Sequence, residues 1–133
     1  EQILKNAKAM EEIFRRENVR MITGGTSNHL ILADVYGSLG VAGKESQSVL
    51  DEVGFSLNMN TIADDTRTAM DPSGIRFGTP AMTTRGMKES EAARIAELMI
   101  ETLRNKDNET KKAEIKDEVR NLCLKHPVPE RFV

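Results

Sequence analysis

The strand candidates of this chain come in consecutive pairs, and that arrangement limits the folds open to it. Val19–Ile22 is followed by His29–Val35, and Phe55–Met59 by the segment 74–79, with no helical pattern inside either pair. Parallel neighbours need a crossover of a dozen or more residues, usually a helix, so strands joined directly pair antiparallel. Helical patterns stand before, between and after the two pairs, which predicts the order α-β-β-α-β-β-α-α. The expected fold is α+β: a two-layer sandwich with a small, mostly antiparallel sheet and helices packed on it.

The helices are read from apolar spacing. Ile3, Leu4, Ala7, Met10, Ile13 and Phe14 share one face of a first helix of about four turns. A second runs from Lys44 to about Val53, buries Val49, Leu50 and Val53, and is closed by Gly54, suited to the left-handed position past a helix end. Glu89–Leu103 aligns Ala92, Ile95, Ala96, Met99 and Leu103, and Glu109–Lys125 aligns Ile115, Val119, Leu122 and Cys123. The residues through Gly37, Gly40 and Gly43 read as loop. His29–Val35 is apolar on both faces, which predicts a strand covered on both sides. Ala63–Ser73 is polar, broken by Pro72, and long for a loop in a small domain; such loops are usually functional or mobile.

Composition removes several function classes. The 133 residues suit a single domain, 1–133, and hydrophobic and charged fractions of 38% and 30% are those of a globular chain. A net charge of −2 gives no whole-domain field to attract nucleic acid or anionic lipid, and few aromatics leave no base-stacking platform. The one cysteine, Cys123, fits a reducing compartment and a small core residue. No apolar run approaches the roughly eighteen residues that span a bilayer, and no signal peptide is read, so a cytoplasmic location without nucleic-acid or membrane partners is expected. The chain starts at Glu1 without a methionine, and it is expected to be cut from something longer.

Few residues carry chemistry. His29 and His126 lie in different elements without ligand spacing, so no metal site is expected. No nucleophile elbow, dinucleotide fingerprint or phosphate loop is spelled. Ser73-Gly74-Ile75-Arg76-Phe77-Gly78-Thr79-Pro80 stands apart, because it sets a guanidinium in a short strand between glycines, beside the long loop. Arginine offers a planar fork that matches a carboxylate in two parallel hydrogen bonds. A structural salt bridge with one of the 21 acids is the competing reading of Arg76. Asn58-Met59-Asn60-Thr61, at a strand end, suits either a heterocycle edge or an ordinary turn.

These segments together resemble a known family. Thr23-Gly24-Gly25-Thr26-Ser27-Asn28-His29-Leu30, Gly43-Lys44-Glu45, Asn58-Met59-Asn60-Thr61, Ser73 through Ala81 and Thr84-Arg85-Gly86 resemble, in order, the carboxy-terminal part of serine hydroxymethyltransferase. Lys5-Asn6-Ala7-Lys8-Ala9-Met10 looks like the helix leading into that region. Enzymes of the family interconvert serine and glycine on pyridoxal phosphate, passing a one-carbon unit to tetrahydrofolate. They have the aspartate-aminotransferase-like fold, with a large cofactor domain and a small carboxy-terminal one. The resemblance implies that this chain is the small domain.

By the same resemblance Arg76 holds the amino-acid carboxylate and Asn60 hydrogen-bonds the pterin. Thr68, Ala69 and Met70 fall where many members have Ser-Pro-Phe lining the folate site. No lysine has the Thr-His-Lys context of the cofactor lysine, so no catalytic residue is expected in this chain, and alone it should be inactive. The implied partners are serine or glycine, folate, the large domain of the same chain and further copies in a homo-oligomer. A stand-alone α+β module that binds a small amino acid, or mediates an interaction without catalysis, is the alternative.

Overall fold

The computed structural model describes residues 2–22, 30–78 and 86–126. The Gly-Gly-Thr motif through His29, Thr79 to Arg85, and the tail from Pro127 lie outside the described residues. The elements are α1 (Gln2–Arg16), β1 (Leu30–Asp34), α2 (Val35–Leu39), α3 (Gly43–Glu52), β2 (Asn58–Asn60), β3 (Gly74–Gly78), α4 (Glu89–Arg104) and α5 (Glu109–Lys125). The three strands form one antiparallel sheet in the order β1-β3-β2. The fold is α+β, as the paired strand candidates predict.

One face of the sheet carries the core. Ile31, Ala33 and Ile75 are buried on it, against Met10 and Phe14 of α1 and Ala92, Ala96 and Met99 of α4. Phe14 and Phe77 lie with ring centroids 5.6 Å apart and planes tilted by 52°. Asn6, fully buried, donates its amide to the Met87 carbonyl at 3.1 Å and ties α1 to the approach of α4. A second cluster, Val53, Leu98, Ile115 and Val119, joins α3 and α5 to the back of α4, with Leu122 and Cys123 at its rim.

Local chemistry explains the helix ends. The Asp34 carboxylate accepts from the Gly37 backbone N–H at 2.8 Å, and Asn108 Oδ1 accepts from that of Lys111 at 3.0 Å. The Lys88 backbone N–H donates to the Glu91 carboxylate at 2.8 Å. Gly54 closes α3 with a φ of 106°, as its position after the apolar stripe predicts.

Three expectations are corrected. Val19–Ile22 is no strand: it meets β1 through one bridge, Met21 to Ala33, flanked by the bonds Ile22 N–H to Leu32 O and Asp34 N–H to Arg20 O, each 2.8 Å. The strand expected over Phe55–Met59 is only Asn58–Asn60, because Phe55 and Leu57 turn into the main core instead of pairing. Residues 35–39 form the short helix α2 where loop was expected, its first turn held by Asp34. In addition, among the described residues β1 is covered on one side only. Leu30 is exposed and Leu32 half-buried, on the face that the described helices leave open.

Candidate functional site

The open sheet face is set by strand alternation. In β3, Ile75 and Phe77 turn toward the helices, so Arg76 between them turns away. Residues directly opposite each other in antiparallel strands share a face. Arg76 stands opposite Leu32 of β1 on one side and Asn58 of β2 on the other, and Asn60 stands opposite Gly74. The open face therefore brings Arg76 and Asn60 together on neighbouring strands, two residues apart in register.

Arg76 is exposed, and among the described residues it has neither an acidic partner nor a side-chain hydrogen bond. The other acids near the sheet are engaged elsewhere. Asp34 caps α2 and lies 3.7 Å from Arg20, while Asp71 takes Arg67. Asn60 donates its amide to the Thr61 carbonyl at 2.8 Å, and its carboxamide oxygen has no partner among the described residues.

Gly74 allows the strands to close around Arg76. A Cβ there would lie 2.8 Å from both the Asn60 carbonyl oxygen and Ile62 Cγ2, and 3.1 Å from the Ala33 carbonyl oxygen. No larger residue fits without moving backbone. At the outer edge, Gln47 of α3 accepts from the Met59 backbone N–H at 2.7 Å and satisfies a donor that the sheet leaves unpaired.

The long loop between β2 and β3 is built by its own side chains. Asp65 accepts from the backbone N–H groups of Arg67 at 2.8 Å, Ser73 at 3.0 Å and Ile62 at 3.3 Å, and from the Ser73 hydroxyl at 2.7 Å. Burial favours the protonated acid, but these bonds outweigh it and hold the Asp65 carboxyl down at about 2. Arg67 donates Nε to the Asp71 carbonyl at 3.0 Å and Nη2 to its carboxylate at 2.7 Å. The guanidinium lies 4.5 Å from the centre of the Tyr36 ring. Between the members of this pair Thr68, Ala69 and Met70 are exposed, Met70 by 79%. The loop that carries them leaves β2 after Asn60 and enters β3 at Gly74, which stand opposite each other at one end of the sheet.

Sequence reasoning does not single out Asp65, Arg67 or Tyr36, nor the pairing of Asp71 with Arg67. An aspartate that bonds the backbone two residues on is a common turn device, and Asp65-Thr66-Arg67 carries that signal. Tyr36 gave none, because it meets Arg67 only through tertiary structure.

The described residues do not fit pyridoxal phosphate as a covalent ligand. The lysines lie on the helices or in the segments next to them, and the sheet face with Arg76 holds none. No group of three or more His, Cys, Asp or Glu that could hold a metal ion occurs among the described residues. No helix of the described residues is long and apolar enough to cross a membrane.

Comparison with known proteins identifies the family. The family model for serine hydroxymethyltransferase matches residues 1–99. Serine hydroxymethyltransferase of Lactobacillus acidophilus is 45% identical over 128 residues, which cover 96% of this chain and 31% of the relative. Those of Limosilactobacillus fermentum and Lactobacillus gasseri are 44% and 42% identical over 128 and 129 residues, with the same shares covered. The chain thus spans 31% of the length of the curated relatives it matches. With its motifs in family order and a match over most of its length, the chain belongs to the serine hydroxymethyltransferase family.

Proposed function

We propose that the chain is the small, carboxy-terminal domain of a pyridoxal-phosphate-dependent glycine hydroxymethyltransferase, which converts serine and tetrahydrofolate to glycine and methylenetetrahydrofolate. In this reading Arg76 holds the substrate carboxylate. Asn60 and the loop tip Thr68, Ala69 and Met70 form part of the folate site. The observation that carries the reading is the state of Arg76: exposed on the open sheet face, with no acidic partner among the described residues. An arginine kept for a structural salt bridge would have its acid beside it. One kept for a ligand carboxylate stands ready with both fork positions available.

The chemistry that this chain supplies is positioning. A two-point clamp on the carboxylate fixes how the rest of the amino acid is presented, and such orientation can lower a barrier by several kcal/mol. The cofactor, held by the large domain, supplies an electron sink to the amino acid. The sheet face with Arg76 holds no lysine, and the chain alone is expected to be inactive in one-carbon transfer. The open carboxamide oxygen of Asn60 suits the N–H edge of a pterin. Met70 offers a flexible apolar surface where many relatives carry an aromatic one. The intact protein is expected to be cytoplasmic and to assemble with copies of itself.

The test is Arg76→Ala in the full-length protein. The KM for serine should rise at least about tenfold, a loss of about 1.4 kcal/mol, with cofactor content unchanged. Unaltered steady-state constants for serine would refute the assignment.

A further inference from the structure

We infer that the Arg67–Asp71 pair, seated on Tyr36, is the positioning element that holds the loop tip Thr68–Met70 beside Asn60 and so sets the affinity for the folate co-substrate. The inference rests on the folate reading above and adds two residues, and a cause, to it.

The pair closes the loop at its neck. Two donors of the Arg67 guanidinium converge on Asp71, one on its carbonyl and one on its carboxylate. The turn between them is completed by the Asp71 N–H donating to the Thr68 carbonyl at 3.1 Å. The side chains of the pair are 29% and 38% exposed, so its hold on the loop comes from the geometry of its bonds and not from burial. Each end is also tied to a different helix. Tyr36 of α2, under the guanidinium, donates its own backbone N–H to the Ser73 carbonyl at 3.0 Å. The second carboxylate oxygen of Asp71 accepts from the Lys44 backbone N–H, in the first turn of α3, at 3.3 Å.

The consequence is a preorganised tip. Thr68, Ala69 and Met70 make no side-chain hydrogen bond to the rest of the described residues, so the neck holds them. A ligand that meets a fixed tip avoids the cost of ordering it on binding, and loosening the neck transfers that cost to the ligand. The amino-acid substrate, clamped at mid-strand by Arg76, should not feel the change.

The experiment compares Arg67→Met, Arg67→Lys and Asn60→Ala in the full-length protein, with KM for serine and for tetrahydrofolate measured on each. Arg67→Met should raise the folate KM by about five- to tenfold and leave the serine KM within about twofold. Arg67→Lys, which keeps the charge and loses the fork, should recover part of the difference. If Asn60→Ala weakens folate and Arg67→Met does not, the inference fails and the folate reading survives. If neither variant moves the folate KM, both fail together. An equal rise in both KM values for Arg67→Met, without recovery in Arg67→Lys, would assign the pair to general stability and overturn a positioning role.

Discussion

Asp65 and Ser73, eight residues apart, close the loop between β2 and β3 with two hydrogen bonds, from the Ser73 N–H at 3.0 Å and its hydroxyl at 2.7 Å. The bonds lock the residue that precedes β3. The register of Arg76 against its neighbours is therefore tied to a carboxylate in the loop, outside the sheet.

That carboxylate makes the loop sensitive to acid. Burial raises the Asp65 pKa, but the bonds from Ser73, Arg67 and Ile62 prevail and bring it from 3.8 to about 2. A carboxyl held below its unfolded value adds stability that is complete above the unfolded pKa and disappears as pH falls through the folded one. Wild type should therefore unfold at a higher temperature than Asp65→Asn at neutral pH, and the gap should shrink between pH 3.8 and about 2. Thermal unfolding across that window measures it. A gap that stays constant down to pH 2 would mean that the charge of Asp65 contributes nothing.

Gly74→Ala tests the close approach of strands. The added carbon would lie 2.8 Å from the carbonyl oxygen of Asn60, a backbone atom that cannot swing aside. The cost should be about 1–3 kcal/mol in urea denaturation, as for other overpacked sites. A variant as stable as wild type would show that β2 yields freely, and the placement of Asn60 would then be loose.

Phe14 links α1 to the sheet. It is 1% exposed and meets Phe77 in the strand that carries Arg76. Phe14→Ala should cost about 3–5 kcal/mol through lost burial and the cavity left behind. A loss below about 1 kcal/mol in chemical denaturation would show that α1 is not needed to hold the strand in place.

The face on which Arg76 stands was legible from the sequence, because Ile75 and Phe77 on either side need the core and alternation does the rest. The long helices were legible for a similar reason: α1, α4 and α5 carry apolar residues at regular helical spacing. What brings Asn60 to the same face is the register of β2 on β3, which depends on Gly74 and on Gln47 capping the edge. No local pattern encodes that pairing. The same limit hides α2, where Gly37 and the following Gly40 read as loop although Asp34 caps the turn, and the neck of the loop, which is tied to α2 and α3. Strand β1, expected to be covered on both sides, leaves its Leu30 and Leu32 side open among the described residues, because the described helices pack against Ile31 and Ala33 on the other side.

Arg76 separates a structural from a ligand-binding role by a measurement that needs no turnover. Its side chain is exposed and lacks a partner among the described residues, so Arg76→Gln should change the stability of the ligand-free protein by no more than about 0.5 kcal/mol. A ligand that binds only the folded state raises its melting temperature by mass action. Serine or glycine should therefore stabilise the wild-type full-length protein and fail to stabilise Arg76→Gln. Arg76→Lys should recover little of the effect, because a single ammonium cannot reproduce the two parallel bonds of the fork. If Arg76→Gln were strongly destabilised without ligand, the arginine would be a structural residue after all. If it were stable and still gained the full serine-dependent shift, the carboxylate would be held elsewhere.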